Sequence, residues 1–378
     1  MAMIDFLTPF YGRQHDRGSL IREIDAVLTA HQLVLRALPF YCQTLAADWI
    51  EHSIVFRRLV SRTQSGDGVS QFRCNPPTGD LDGGTAAREE RFFIYDHPDY
   101  RNVYVLLTLG PTASFEWLRR LIAKSFPTIV TTFITHRTLR RLLEGFHAEH
   151  GLSRLIIKRA SFRIRFGEES EGERRRVVPV VTWPDMELRE AFDWVYQQNG
   201  WFQSLQFDAC RDHTVLATVS FSREGVTRTT GLFSQVFAGF VHPVCKRIHE
   251  NVDLFGQRSR RDRADLTARP LVIDFEAEQI AENDERLRFV QAMKRLRRAS
   301  VSVLHGNPYV HLSVLDYYDG SVFDVWVLSG REITIVPQMK GSIAAIKRLI
   351  QHIFDSYAEG RIRDYGGGTH GVGPRASG

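Results

Sequence analysis

The residues best suited to bind a metal ion are two histidines and a cysteine in the middle of the chain. His242, Cys245 and His249 are spaced three and four residues apart, so they share one face of a predicted helix. Imidazole and thiolate groups together form a common ligand set for zinc. The spacing indicates no fourth ligand, and Pro243 is expected to distort that turn of the helix. The sequence therefore predicts no metal site, and it indicates no cofactor.

An arginine and a histidine on another predicted helix are the second candidate for chemistry. Arg141 and His147 lie six residues apart in the segment Arg-Leu-Leu-Glu-Gly-Phe-His. The pair resembles the Arg and His motif of HEPN-type ribonucleases, and the resemblance implies a metal-free pair that acts at the scissile phosphate. The polar residue that usually follows the arginine in that family is here Leu142. A HEPN-like nuclease is therefore an alternative function, and no catalytic role is transferred to either residue.

A metal-dependent nuclease is the other form of that alternative, because carboxylates gathered around a divalent ion promote phosphodiester cleavage. Asp274 and Glu276 face the same side of a predicted strand, and Asp316 flanks a predicted hairpin. Neither group has a lysine in the arrangement that such nucleases use. The chain also contains no glycine-rich phosphate loop, dinucleotide fingerprint or nucleophile elbow. The catalytic residues are therefore unknown, and the sequence favours a protein that is not an enzyme.

Arginine dominates the positive charge of the chain. Lys and Arg number 49 against 44 Asp and Glu, which gives a formal net charge of +5. Only six of the basic residues are Lys, and the planar guanidinium group of Arg suits phosphate recognition. A chain encoded in GC-rich DNA would show the same preference, so arginine content alone does not establish phosphate binding. The arginines predicted to bind nucleic acid are Arg163, Arg165, Arg174, Arg175, Arg176, Arg258, Arg260, Arg261 and Arg263.

Composition excludes several other classes of protein. Hydrophobic residues make up 43% and charged residues 25%, which excludes a collagen-like or wholly disordered chain. The four cysteines are scattered without short paired spacing, which favours a reducing compartment. The N-terminus lacks a basic start followed by an apolar core, and the longest apolar window, 231–245, is shorter than a membrane span. We expect a cytoplasmic protein that does not bind a membrane.

The sequence predicts an α+β fold that positions these candidates. A helical N-terminal segment is followed by repeated modules, each of which consists of a helix, an antiparallel meander and a second helix. The first helix is predicted to be capped by Ser19 and interrupted at Pro39. The helix capped by Ser114 aligns without gaps on the helix that starts at Ser342, which indicates an internal repeat. Chance similarity between amphipathic helices would give the same match. Another helix is predicted to begin with Pro184 in its first turn.

The predicted domain boundaries follow these modules. Residues 1–150 hold the N-terminal helices and the first module, and residues 151–254 hold the second. The second module includes a predicted strand over 214–222. Residues 255–269 form an Arg-rich linker, and residues 270–360 form the third module. The third module is predicted to contain helices over 283–297 and 341–357 and, between them, strands over 299–304, 308–316, 322–328 and 332–336. Residues 361–378 are predicted to be disordered, because this glycine-rich segment cannot bury enough apolar surface.

The sequence favours a non-enzymatic, cytoplasmic subunit for nucleic-acid binding or assembly, with arginines on sheet and linker surfaces that contact phosphates. RNA and DNA are both open as ligands. A nuclease is the first alternative. A scaffold that binds another protein, with its arginines paired to Asp and Glu within the chain, is the second. The sequence does not indicate an oligomeric state.

Overall fold

The chain folds into helices and antiparallel sheets, which confirms the predicted α+β class. The computed structural model describes residues 7–57, 59–76, 89–164, 180–198, 200–256, 269–338 and 341–365. The chain divides into two compact units, Met1–Glu250 and Asn251–Gly378. The predicted linker falls largely on residues 257–268 and the predicted tail largely on residues 366–378, which lie outside the described residues. None of the described helices is long and apolar enough to cross a membrane.

The described residues of unit 1 form a large antiparallel sheet with helices on its faces. Its helices are Thr8–Tyr11 (α1), Arg17–His31 (α2), Ala46–His52 (α3), Thr112–Lys124 (α4), His136–Glu149 (α5), Leu188–Gln197 (α6), Phe233–Val236 (α7), the π-helix Phe237–Val241, and His242–Gly256 (α8), within which the unit boundary falls. Its strands are Leu35–Cys42 (β1), Val60–Gly66 (β2), Val69–Cys74 (β3), Glu90–Asp96 (β4), Val103–Thr108 (β5), Ile129–Thr131 (β6), Arg154–Ile164 (β7), Val180–Glu187 (β8), Gly200–Arg211 (β9), Thr214–Ser222 (β10) and Thr227–Gly231 (β11).

Strand β1 lies at the centre of this sheet and joins its two halves. The strand order is β2-β3-β4-β5-β1-β11-β10-β9-β7-β8, and β6 pairs with the end of β1. Every residue of β1 is buried. This strand is a correction to the predicted helical N-terminal segment, because α2 ends at His31 and Pro39 lies inside β1.

The start of α2 also differs from the prediction. Asp16 is the N-cap residue, and its carboxylate accepts a hydrogen bond from the Ser19 amide at 2.7 Å. The Ser19 hydroxyl in turn accepts from the Asp16 amide at 2.9 Å. Ser19 is therefore the third helical residue of a capping box rather than the cap itself. Gln32, which adopts a left-handed conformation with φ of 51°, ends the helix.

Helices cover the two faces of the sheet in unit 1 unequally. Phe40 of β1 and Phe92 of β4 belong to one core with Ile50 of α3 and Phe115 of α4, so α3 and α4 cover this face beside β1–β5. On the opposite face the ring of Phe240 packs against rings of the other half of the sheet. On the face that α3 and α4 cover, the strands on the other side of β1 carry polar residues, among them Arg228, Ser220 and Gln206.

Two further expectations about helix starts are wrong. Pro184 lies in β8, and α6 begins four residues later at Leu188. Because β8 is at the edge of the sheet, a proline is tolerated there without the loss of a central hydrogen bond. Ser114 lies within the first turn of α4, whose N-cap is Pro111. Its hydroxyl therefore does not cap the helix.

Unit 2 contains a six-stranded antiparallel sheet. Its strands are Leu271–Asp274 (β12), Ala299–His305 (β13), Val310–Asp316 (β14), Val322–Ser329 (β15), Glu332–Pro337 (β16) and Arg361–Asp364 (β17), and its helices are Asn283–Lys294 (α9) and Ile343–Ser356 (α10). The strand order is β13-β14-β15-β16-β12-β17. Ser342 caps α10 by accepting a hydrogen bond from the Ala345 amide at 3.0 Å.

One part of unit 1 has the same order of secondary-structure elements as unit 2. In unit 1, β1 is followed by α3, the meander β2–β5, α4 and β6. In unit 2, β12 is followed by α9, the meander β13–β16, α10 and β17. In both, the first strand pairs with the last strand of the meander and with the strand after the second helix.

Candidate functional site

A row of polar side chains crosses the open half of the sheet in unit 1. Strand register pairs Arg36 with Arg228, Arg228 with Ser220, Ser220 with Gln206, and Gln206 with Arg159. Residues directly opposite each other on neighbouring strands point to the same face. We call this line of five residues the cross-strand row. It places arginines at both ends and uncharged polar groups between them.

The cross-strand row opens into a cavity of about 410 Å³. No carboxylate and no aromatic ring is among the described residues that line this cavity. Its polar lining residues are Arg159, Ser161, Ser204, Gln206, Thr218, Ser220, Arg228, Thr229 and Thr230. Hydroxyl and guanidinium groups are both hydrogen-bond donors, so the lining is suited to an anion.

Strand alternation explains why Arg159 lies on this face. Ala160 and Phe162 are 1% and 2% exposed and form part of the core, whereas Arg159, Ser161 and Arg163 lie on the opposite face of β7. Arg159 is exposed and has no ion-pair partner among the described residues. Its charge is therefore not compensated within the part of the chain that the structure describes.

The other end of the row holds two arginines that differ in their surroundings. Arg36 is buried, donates to the Gly110 carbonyl and donates to the Thr112 hydroxyl at 2.8 Å. Burial, and then the charge of Arg228, lower the pKa of Arg36. The Arg228 side chain is 41% exposed, and its Nη2 lies 3.4 Å from a carboxylate oxygen of Glu116. Arg36 therefore has a structural role, while Arg228 remains accessible from solvent.

The hydroxyl groups of the cavity are partly committed to each other. Ser161 and Ser204 form a hydrogen bond of 2.6 Å between their hydroxyl oxygens, and Thr218 donates to Asp208 at 2.7 Å. Ser220 and Thr230 form no side-chain hydrogen bond with the described residues. These two hydroxyls can therefore donate to a ligand without breaking an existing bond.

Only one of the predicted nucleic-acid-binding arginines can be placed. Arg163 is exposed on the outer side of β7, as the alternation predicted. Those that lie outside the described residues are Arg165, Arg174, Arg175, Arg176, Arg258, Arg260, Arg261 and Arg263. Sequence reasoning missed Arg159 and Arg228. The first could have been found, because it continues the alternation of Ser161 and Arg163 by one step.

The candidate nuclease residues do not form a common site. Asp316 is 3% exposed and is bound to Arg348, whose Nε donates to it at 2.8 Å. Asp274 lies on β12, which β15 and β16 separate from β14. On α5, Arg141 and His147 are both exposed, and the imidazole of His147 donates to a backbone carbonyl at 3.2 Å. Neither set lines the cavity.

A second polar cluster of unit 1 joins a turn to the start of α8. His97 Nε2 lies 3.0 Å from His242 Nδ1, and Asp99 Oδ2 lies 3.9 Å from the same nitrogen. The Tyr100 hydroxyl lies 3.3 Å from His242 Nε2. We call His97, Asp99 and His242 the histidine cluster. The sequence had instead grouped His242 with Cys245, which is fully buried and whose thiol has its pKa raised by that burial.

Comparison with known proteins assigns the chain to no family. No protein-family model matches the sequence, and no curated protein matches it. The chemistry of the cross-strand row and of the histidine cluster is therefore the basis for assigning a function.

Proposed function

We propose that this protein is a non-enzymatic, cytoplasmic subunit that binds nucleic acid through the cross-strand row of unit 1. The observation that carries the proposal is the cavity lining: among the described residues it contains no carboxylate and Arg159 has no ion-pair partner. Ser220 and Gln206 separate Arg159 from the accessible Arg228. Guanidinium and hydroxyl donors are the groups that contact phosphate and sugar in protein complexes with nucleic acids.

The spacing of the arginines suits a chain of phosphates rather than one phosphate. Three strand steps separate Arg159 on β7 from Arg228 on β11, which is about 14 Å at the usual distance between strands. One strand of B-form DNA carries a phosphate for about every 3.4 Å of axis, so this separation spans about four phosphates. A polymer of phosphates therefore fits the row better than a small anion does.

The same lining predicts binding without sequence preference. No aromatic ring is among the described lining residues, so the cavity offers no platform on which bases would stack. Contacts to phosphate and sugar give affinity but carry no direct information about sequence. We expect RNA and DNA of different sequences to bind with similar affinity and with strong dependence on salt.

The test is a salt series of binding to fluorescent single- and double-stranded RNA and DNA, followed by anisotropy. We expect Arg159→Ala with Arg228→Ala to reduce the slope of log affinity against log salt by about 1 for each arginine removed. Arg189→Ala is the matched control, because that arginine lies on α6 with its side chain 86% exposed and does not line the cavity. The control should keep the wild-type slope.

Other results would refute the proposal. Failure to bind at low salt would leave a protein-interaction scaffold as the better function, and an unchanged slope in the double variant would place binding elsewhere on the chain. The reactions are repeated with Mg²⁺, and cleavage of the probes would favour the nuclease alternative over a binding subunit.

We also infer that the chain contains an internal repeat. The shared order of elements and strand pairings in the β1–β6 and β12–β17 segments supports this inference, as does the gapless match between the helices near Ser114 and Ser342. The match is displaced at the helix start, because Ser342 is an N-cap and Ser114 is inside α4. A separately expressed segment of residues 270–365 that folds cooperatively would support the repeat as a module.

A further inference from the structure

The histidine cluster brings together residues that are far apart in the sequence. His97 and Asp99 lie in the turn between β4 and β5, and His242 is the first residue of α8. The π-helix Phe237–Val241 directly precedes His242, and Pro243 follows it. A proline within a continuous run of helix cannot donate its backbone hydrogen bond, and a wide π turn is a common device at functional positions in helices. This local irregularity sets the position of His242 opposite the turn.

The donor atoms lie near the separations that are found around a bound transition metal. One nitrogen from each histidine and one oxygen of Asp99 all lie within 4.8 Å of one another. Zinc binds such ligands at about 2.0–2.2 Å, which requires tetrahedral donors to lie about 3.3 Å apart. The 3.0 Å between His97 Nε2 and His242 Nδ1 is therefore about 0.3 Å short of that separation. A small movement of the exposed Asp99 side chain and the half-buried His242 side chain would complete the arrangement.

We propose that His97, Asp99 and His242 bind a zinc ion, with a fourth position open to water. Two imidazoles and one carboxylate are a ligand set for zinc and similar transition metals, whereas Mg²⁺ and Ca²⁺ prefer oxygen ligands. The side chains of Asp99 and His242 are 62% and 36% exposed, so solvent can reach the remaining position. Three protein ligands and one water are typical of open zinc sites.

The tautomer of His97 must change when a metal binds. The Asp99 amide donates to His97 Nδ1 at 3.2 Å, so Nδ1 accepts this hydrogen bond and the ring proton lies on Nε2. Binding through Nε2 requires the other tautomer and gives up this hydrogen bond.

Tyr100 supports the orientation of His242. Its hydroxyl contacts Nε2 of His242 at 3.3 Å, on the side of the ring away from the nitrogen that faces His97. Histidines that bind metals commonly use the second nitrogen in a hydrogen bond of this kind. The arrangement thus assigns Nδ1 of His242 to the metal and Nε2 to Tyr100.

The test measures zinc binding by the full chain after treatment with a chelator. Titration calorimetry with zinc chloride is expected to give one ion per chain, and Co²⁺ is expected to give a visible absorption band typical of four-coordinate cobalt. Asp99→Asn and His242→Gln should each weaken zinc binding by about tenfold or more. His249→Gln is the matched control, because this residue lies on the same helix and stacks on Tyr100 but is outside the cluster.

The outcomes separate the histidine cluster from the set His242, Cys245 and His249, which share a helix face but were not predicted to bind a metal. Loss of binding in His249→Gln with normal binding in Asp99→Asn would overturn the histidine cluster as the site. No binding by the wild-type chain at tens of micromolar zinc would overturn it as well. Asp99→Asn is the decisive variant, because an exposed carboxylate can be replaced by an amide without disturbing the fold. The result does not depend on whether the protein binds nucleic acid.

Discussion

His136, at the start of α5, should make unit 1 sensitive to acid. Its ring packs against Phe192 and Phe202, and its Nδ1 accepts a hydrogen bond from the Phe202 amide at 3.3 Å. Burial, and then the charges of Arg223 and Arg140, lower the pKa of His136 from 6.5 to about 4. The folded state therefore keeps this imidazole neutral at a pH at which the unfolded chain protonates it.

The direction and size of the effect follow from proton linkage. Between pH 6.5 and pH 4 the unfolded chain binds more protons at His136 than the folded chain does, so stability falls as the pH falls. For this shift, the contribution lost between pH 7.5 and pH 5 is about 2 kcal/mol. Asparagine places an oxygen near the position of Nδ1 and does not titrate. The His136→Asn variant should therefore lose about 2 kcal/mol less than the wild type over this range.

Urea denaturation followed by tryptophan fluorescence measures this difference, because five of the six tryptophans belong to unit 1. The comparison uses the change with pH in each protein, so any constant cost of the substitution cancels. His147→Asn removes an exposed imidazole from the same helix and should follow the wild type. Parallel pH profiles for wild type and His136→Asn would refute the reasoning, since they would show that burial does not disfavour the charged ring.

Two further substitutions test the packing of each unit. Arg348→Met leaves the buried carboxylate of Asp316 without its charged partner. Denaturant titration of unit 2, followed through Trp326, should show that the free energy of unfolding falls by about 3–5 kcal/mol. A fall below about 1 kcal/mol would contradict a buried ion pair. Gly239→Ala places a methyl group 2.2 Å from the ring of Phe146, and a lower midpoint of thermal unfolding is expected, by about 1–3 kcal/mol in stability. An unchanged midpoint would mean that the π-helix has room for a side chain.

Strands with one buried face were the most predictable part of the fold. The sequence predicted a strand over 214–222, and the structure has Thr214–Ser222 with alternating burial along most of its length. The meander of unit 2 was predicted with boundaries within two residues of those observed. The predicted helices over 283–297 and 341–357 correspond to α9 and α10. In each case a regular hydrophobic period reports directly on which side meets the core.

The central strand β1 was not predicted, because its sequence lacks the alternation that identified the other strands. Strand β1 is buried at every position, so it has no alternation between apolar and polar residues, and Pro39 suggested a break in a helix. A strand covered on both faces gives no period that distinguishes it from a buried helix segment. Its identity depends on strands β5 and β11, which lie far along the chain.

In the candidate sites, too, the positions that depend on neighbouring residues could be predicted, and those that depend on contacts between distant segments could not. Arg163 could be assigned to the outer face of its strand from neighbouring residues alone, and it is found there. The sequence could not relate Arg228 to Arg159, because only the order of the strands in the folded sheet places the two residues on one face. His97 and His242 are 145 residues apart, and nothing in the spacing of either segment indicates the other.

The position of β1 also has a consequence for how the chain is synthesised. Leu35 pairs with Thr229, roughly 200 residues later in the chain, which corresponds to about 10–40 s of translation at common rates. During this interval β4 and β5 can already pair beside β1, and β6 can cover only its far end at Phe40–Cys42. The Leu35–Ala37 edge remains open to other strands until β11 emerges from the ribosome. Slowing translation between β6 and β11 should therefore increase aggregation more than slowing it after β11.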